Sequence, residues 1–270
     1  MNLVAHDHRR RIGAVAALMT AAGLIVAACS TSSPGSSGSS LGTGTGSGSG
    51  SGNGSGSGGS TSVVSSNSVP FPVAVGNTWV YKTSTLTGSA DNRRTDKIIA
   101  VKPVSGGTDV TMSSTDNILG TTSTSQSEFV FHSDGSISYP FNQFNTGGAQ
   151  SHVKLISGGL LWPSAAVLAS GKQYHDLLRI QTDVAGHKLT LTSQVTVQGG
   201  GTQTVTVPAG TYNATVVKMT MSETVAGFHA TTEITTWLAS GVGPVKTEVT
   251  IKEAGISRVT AEDQLVSFTK

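Results

Sequence analysis

Apolar and polar positions alternate along much of the chain. Leu189, Leu191, Val195 and Val197 share one side of a run, and Lys188, Thr190, Thr192, Gln194 and Thr196 share the other. Val245, Val249 and Ile251 alternate with Lys246, Glu248, Thr250 and Lys252, and Leu178, Ile180 and Val184 repeat the pattern. A period of two puts successive side chains on opposite faces of a strand. Clean alternation of this kind predicts antiparallel strands with one wet face. Residues suited to reversals punctuate the runs at Gly106-Gly107, Asp134-Gly135, Ala185-Gly186, Gly199-Gly200-Gly201, Ala226-Gly227 and Ala254-Gly255. Asp134-Gly135 suits a type I′ turn, which needs φ > 0 at both central residues. The spacing predicts about ten to twelve strands in a meander.

One segment departs from this rhythm. Leu160–Gly171 shows no alternation; Pro163 suits the first position of a helix and Gly171 the position after its end. The pattern predicts one short helix at about 163–169 that lays Val167 and Leu168 on the sheet. A single curved sheet has to cover its apolar face, by curling or with a lid, and this helix is the natural cover.

Composition sharpens the picture. Thr and Val supply 53 of the 201 residues from Pro70 to Lys270, and both are β-branched residues that fit a pleated, half-buried surface. Between Ser30 and Val69, 33 of 40 residues are Gly, Ser or Thr and none is charged. Such a tract buries too little apolar area to offset the entropy of ordering, so it reads as a tether. Its r.m.s. span is roughly 35 Å. Three parts result: a leader over 1–28, Cys29 and a disordered linker over 29–69, and one antiparallel β domain over 70–270.

The leader carries Arg9-Arg10-Arg11 and then the uncharged run Ile12–Ala28, which closes on Val26-Ala27-Ala28-Cys29. This is a signal-peptide layout. Its end resembles a bacterial lipobox, with Val26 where leucine is commonest. The resemblance implies cleavage before Cys29, a diacylglyceryl thioether on its sulfur, often a further acyl chain on its new N-terminus, and an extracytoplasmic protein held on a membrane. Two or more acyl chains anchor stably where one does so only marginally. Cys29 is the single cysteine, which excludes an intrachain disulfide and a Cys-rich zinc site.

The formal charge of +2 belongs to the leader. Without Arg9, Arg10, Arg11 and Asp7 the chain has 14 basic and 14 acidic residues. No basic run remains to capture nucleic acid.

A search for chemistry yields little. Gly38-Ser39-Ser40-Leu41-Gly42 matches G-x-S-x-G, but it sits in the tether without the strand and helix that a nucleophile elbow needs. His132, His152, His175, His187 and His229 show no metal-ligand spacing. His175-Asp176 has no third member in sequence, Gly171-Lys172-Gln173 lacks the rest of a phosphate loop, and Arg93-Arg94 reads as a solvated strand start. No catalytic residue, metal site or cofactor is predicted, although a carboxylate pair can still assemble in space.

Three stretches carry a family likeness: Gly76-Asn77-Thr78-Trp79-Val80-Tyr81, Val205-Thr206-Val207-Pro208-Ala209-Gly210-Thr211-Tyr212, and Trp237-Leu238-Ala239-Ser240-Gly241-Val242-Gly243-Pro244-Val245-Lys246. They resemble motifs of a group of bacterial envelope lipoproteins similar to the LolA/LppX half-barrels, in which a curved antiparallel sheet and a helical lid enclose acyl chains. The expected architecture is therefore mainly β: a single curved meander sheet, a half-barrel, with one short helix as lid. Trp79, Tyr81, Trp162, Tyr212 and Trp237 read as core anchors.

Three functions compete. A lipid-anchored, non-catalytic module can dock on an envelope protein or glycan. A carrier can hold a lipid or other apolar ligand in a cavity lined by Leu189, Leu191, Val217, Met219, Met221 and Leu168. An envelope enzyme would need a polar cluster that the linear sequence hides. The first assumes least and is the expectation, with the membrane as partner through the N-terminal lipid.

Overall fold

A computed structural model describes residues 71–85, 92–118, 120–139, 154–184, 187–225, 228–253 and 256–270. The leader, Cys29 and the tether lie outside the described residues. So do the reversals expected at Ala185-Gly186, Ala226-Gly227 and Ala254-Gly255.

Thirteen strands and one helix follow each other along the chain. The strands are β1 (Thr78–Thr85), β2 (Arg93–Val104), β3 (Gly107–Ile118), β4 (Thr121–His132), β5 (Ile137–Tyr139), β6 (Lys154–Ser157), β7 (Leu160–Trp162), β8 (Tyr174–Val184), β9 (His187–Val207), β10 (Gly210–Val225), β11 (Phe228–Ala239), β12 (Gly243–Glu253) and β13 (Ile256–Thr269). The helix, α1 (Ala165–Ala169), lies between β7 and β8. All strands form one antiparallel sheet in the order β6-β8-β9-β10-β11-β12-β13-β1-β2-β3-β4-β5-β7. The chain's last strand thus pairs with its first, and two meanders meet at β13–β1.

The sheet must curl. Its edges are β6 and β7. Laid flat, thirteen strands would hold them about 58 Å apart, from a spacing of 4.7–4.9 Å per neighbour. Yet Ser157 at the end of β6 and Leu160 at the start of β7 are separated only by Gly158 and Gly159, a reach of at most about 11 Å. The core agrees. Val110 of β3 and Phe131 of β4 share one buried cluster with Val207 of β9, Ala214 of β10 and Ala239 of β11, although β3 and β9 stand seven places apart in the sheet. The sheet rolls on itself without closing, since β6 and β7 are not paired with each other.

Two apolar clusters fill the roll. One gathers Leu178, Ile180, Val195, Val197, Val217, Met219 and Met221 with Leu160 and Leu168. The other gathers Trp79, Tyr81, Ile98, Val110, Met112, Phe131, Val245 and Leu265 with the strand ends of β9 to β11. The three family-like stretches build the second. The Trp79 indole donates to the carbonyl of Val242 at 2.6 Å, and the Tyr81 hydroxyl to that of Pro244 at 3.0 Å. Phe71 packs tilted against Trp79, with ring centres 4.8 Å apart. A Cβ on Gly243, where φ is +95°, would come within 3.0 Å of the Phe71 ring. The Ala209 amide, in the Pro208-Ala209 turn between β9 and β10, donates to Leu265 O at 2.9 Å.

Four expectations are corrected. Gly199-Gly200-Gly201 is no reversal; it lies inside the 21-residue β9. The pairing with β10 slips there, between Thr215 and Val217. A Cβ on Gly199 would stand 2.2 Å from the Leu168 carbonyl oxygen of α1, and one on Gly200 would stand 3.0 Å from Val216 Cγ1. These glycines thus serve close approach at a bulge. The Asp134-Gly135 reversal has a three-residue loop: His132 N bonds Ser136 O, Gly135 N bonds His132 O, and Gly135 has φ +84°. This is the turn-plus-bulge hairpin in which a glycine in the left-handed region follows the turn. Leu160–Trp162 is a strand, and α1 begins two residues after Pro163. Only Leu168 of α1 is buried; Val167 is 38% exposed, because one turn presents one narrow stripe to the sheet.

The seat of α1 on β9 yields a stability prediction. Gly199→Ala pushes a methyl into the Leu168 backbone, which no side-chain rotation relieves, so thermal unfolding followed by circular dichroism should show a loss of about 1–3 kcal/mol. Gly159→Ala is the control, since nothing lies within 4 Å of a Cβ there; equal behaviour of the two variants would contradict the packing described.

Candidate functional site

Alternation carries polar residues into the roll as well as apolar ones. On β1 the buried set runs Trp79, Tyr81, Thr83; on β2 it runs Ile98, Asp96, Arg94, toward Asn92 just before the strand; on β3 it runs Val110, Met112, Ser114, Asp116. Each run turns from apolar to polar toward the same end of the sheet. Register sets these residues side by side. Arg94 stands opposite Tyr81 on β1 and opposite Asp116 on β3. Thr83 stands opposite Asp263 on β13.

The result is a buried charge cluster centred on Arg94. Its Nη1 lies 2.7 Å from Asp263 Oδ2, and its Nε lies 3.2 Å from Asp96 Oδ2. Thr83 Oγ1 donates to Asp263 Oδ1 at 2.7 Å. The guanidinium carbon sits 4.7 Å from the centre of the Tyr81 ring. Arg94, Asp96, Asp116 and Asp263 are 4%, 8%, 6% and 5% exposed. Oδ1 of Asp96 and Oδ1 of Asp116 are buried without a hydrogen-bond partner.

One guanidinium cannot neutralise three carboxylates. Burial raises the Asp116 carboxyl to about 7; Arg94 pulls it down, while Asp96 and Asp263 push it further up. Burial likewise raises Asp263, against the pull of Arg94 and Thr83. The cluster thus holds a titrating proton near neutrality. A second buried carboxylate, Glu223, lies opposite Ser193 across β9 and β10; burial raises it and Ser193 draws it back.

The sequence-predicted positions divide. Val217, Met219, Met221 and Leu168 come together, all buried in one apolar cluster. The side chains of Leu189 and Leu191 lie outside the described residues, as does His152. His175 and Asp176 point apart: His175 Nδ1 meets Thr196 Oγ1 at 3.1 Å on the exposed face, while Asp176 Oδ2 accepts from the Gly159 amide at 3.0 Å. His132 Nε2 meets Ser138 Oγ at 2.7 Å. Among the described residues no group of three or more His, Cys, Asp or Glu side chains is arranged to hold a metal ion. Arg93 is exposed as expected, but Arg94 is not a solvated residue: it shares the phase of buried Ile98, so the pleat carries it inward. The cluster itself was missed by motif. The signal available was phase, since Arg94, Asp96 and Asp116 share the parity of Ile98 and Met112.

The raised carboxyl gives a pH prediction. Asp116 binds its proton more tightly folded than unfolded, so its contribution to stability is present in acid and falls as pH rises from about 4 to about 7. Urea titrations across this range, compared between the natural chain and Asp116→Asn, isolate the effect. The variant should gain relative to the natural chain as pH rises, by up to about 4 kcal/mol. Parallel curves would show that Asp116 titrates normally.

Comparisons place this architecture among known chains. No curated protein matches the sequence. A protein described as exported and of YmcC-like fold, from Bacteroides fragilis NCTC 9343, superposes with a TM-score of 0.52 at 20% identity, covering 74% of this chain and 98% of its own. A protein described as a lipoprotein, from Parabacteroides distasonis ATCC 8503, superposes with a TM-score of 0.55 at 17% identity, covering 75% and 99%. At such identities the likeness is one of fold. The DUF3108-like family matches residues 74–254, and the chain belongs to that family.

Proposed function

We propose that this protein is an envelope lipoprotein, anchored outside the cytoplasm by lipid on Cys29, whose rolled sheet serves as a non-catalytic binding or interaction module. The observation that carries this reading is the state of the interior. Arg94 pairs with Asp96 and Asp263 deep in the roll, and four of the residues suited to line an apolar cavity, Leu168, Val217, Met219 and Met221, pack on one another as core. Solved proteins of the same fold, described as an exported protein and a lipoprotein, support the location. The family-like motifs support a structural role for the sequence's most recognisable residues, because Trp79, Tyr81 and Gly243 lock the strand ends together.

Metabolic labelling with an alkyne fatty acid tests the anchor. The natural chain should take up label and partition into detergent, and Cys29→Ser should do neither; label on the variant would overturn the assignment. Native mass spectrometry of the secreted Cys29→Ser chain, purified without detergent, tests the module against a carrier. An apo mass that persists when envelope lipids are supplied is expected. A stoichiometric lipid, lost on Met219→Lys and Met221→Lys, would establish instead the acyl-holding half-barrel of the LolA/LppX kind.

A further inference from the structure

The outer face of the roll carries a hydrogen-bonded serine and histidine beside an unpartnered carboxylate oxygen. His132 Nε2 and Ser138 Oγ lie 2.7 Å apart, across the short loop that joins β4 to β5. Their chain neighbours Phe131 and Ile137 face the core, so His132 and Ser138 point the other way. Both are half-buried. Register adds a third group. Gly107 of β3 stands opposite His132, and Asp109 stands opposite Val130, so Asp109 and His132 are diagonal neighbours on this face. Gly107 puts no side chain between them. It could not carry one, since a Cβ would meet the Phe131 carbonyl oxygen at 2.2 Å. Asp109 Oδ1 is buried without a hydrogen-bond partner. The acid of the loop, Asp134, is already committed to the Ser136 amide and hydroxyl.

These groups fit together chemically. An imidazole with its proton on Nδ1 accepts a hydroxyl proton at Nε2, and an acceptor for Nδ1–H favours that tautomer. Asp109 is an acceptor on the same face that lacks a donor. A serine bonded to such a base is an activated nucleophile. Apolar side chains flank it, because Ser138 stands between Val130 of β4 and Leu161 of β7, both half-buried. The loop amides, by contrast, are occupied. His132 N donates to Ser136 O and Gly135 N to His132 O, and Ser136 N donates to Asp134. None of the three is left for the oxyanion that acyl transfer develops. Such a site suits a donor with a good leaving group, a thioester or an aryl ester, and not an amide.

We propose that Ser138 is an acyl-acceptor site, with His132 as its base, Asp109 as the residue that positions the imidazole, and an activated ester of an apolar acid as its donor. The bond from Oγ to the carbonyl carbon forms as the bond from that carbon to the leaving sulfur or oxygen breaks. The Oγ proton passes to His132 Nε2 and from there to the leaving group. Ser138 is a reactant, acylated once per chain, so the site goes beyond the module reading and does not depend on it.

Incubation of the secreted Cys29→Ser chain with p-nitrophenyl butyrate tests this. Nitrophenol should be released in a burst of about one equivalent, and tandem mass spectrometry should place the butyryl group on Ser138. Ser138→Ala should abolish the burst, and His132→Gln should slow it about 100-fold or more. Asp109→Asn should lower the limiting burst rate and leave unchanged the reagent concentration that half-saturates it. Ser133→Ala, in the same loop, should behave as the parent chain does. The mapping is made on the parent chain and holds whether or not a variant folds. A butyryl group spread over lysines, no butyryl group at all, or a burst undiminished in His132→Gln would overturn the proposal. Release that continues past one equivalent would overturn it in favour of hydrolysis. The anchor and the apo state are decided separately, by Cys29 labelling and native mass spectrometry.

Discussion

The link Ser157-Gly158-Gly159-Leu160 constrains everything else in this fold. It joins the two edges of a thirteen-stranded sheet, so the sheet cannot lie open, whatever its strand twist. Twist alone would coil a sheet of this size without bringing its edges together. Gly158 is fitted to the link twice. Its φ is +81°, which a side chain resists, and a Cβ would stand 2.4 Å from the Leu177 carbonyl oxygen of β8. Asp176 then accepts from the Gly159 amide, tying the link to β8 by a side chain as well as by backbone. Once the edges are held, strands far apart in the sheet face one another, and the interior needs filling.

Filling it exposes a conflict between pleat and polarity. A strand that supplies Trp79 and Tyr81 to the core must also supply every second residue that follows, and here that residue is Thr83. The same phase brings in Arg94 behind Ile98 and Asp116 behind Met112. Buried ion pairs generally do little for net stability, because removing two charges from water costs as much as their attraction returns. An apolar trio at these positions would pack at least as well. The structure instead holds three carboxylates around one guanidinium, with Asp116 raised to about 7. The cluster is continuous with the motif-bearing core, since the Arg94 guanidinium lies over the Tyr81 ring.

Much of the architecture was legible in the sequence, for reasons that differ by element. Period-two runs such as Leu178–Ile180, Val195–Val197 and Val245–Val249 gave the strands and their inward faces, and those valines, leucine and isoleucine are buried. Gly171 ends α1 with φ +71° as its position suggested. Gly199 to Gly201 misled because glycine serves two ends, a reversal or a close approach, and only the arrival of Leu168 over β9 decides between them. A curved sheet was expected from the family resemblance, but the strand order was not legible: which strands form the edges is a long-range fact that local pattern does not carry. The charge cluster lay between these cases. Arg94 was read by its neighbour Arg93 and its place at a strand start, where its phase relative to Ile98 was the better guide.

The pairing of β1 with β13 joins the structural argument to the proposed anchoring. The first strand of the domain does not sit at an edge, from which a pull could peel it. It lies between β13 and β2, bonded on both sides. Just ahead of it, Phe71 is clamped between Gly243 and the Trp79 and Phe131 rings. Asn77 Nδ2 donates back to the Pro72 carbonyl at 3.1 Å, and the Gly76 amide donates to Ile98 O at 2.9 Å. A force applied through a lipid-borne tether at residue 70 would therefore act on an aromatic plug and a central strand together. Such a load would be shared by the β1 pairings on both sides and by the Trp79 and Tyr81 bonds across the roll.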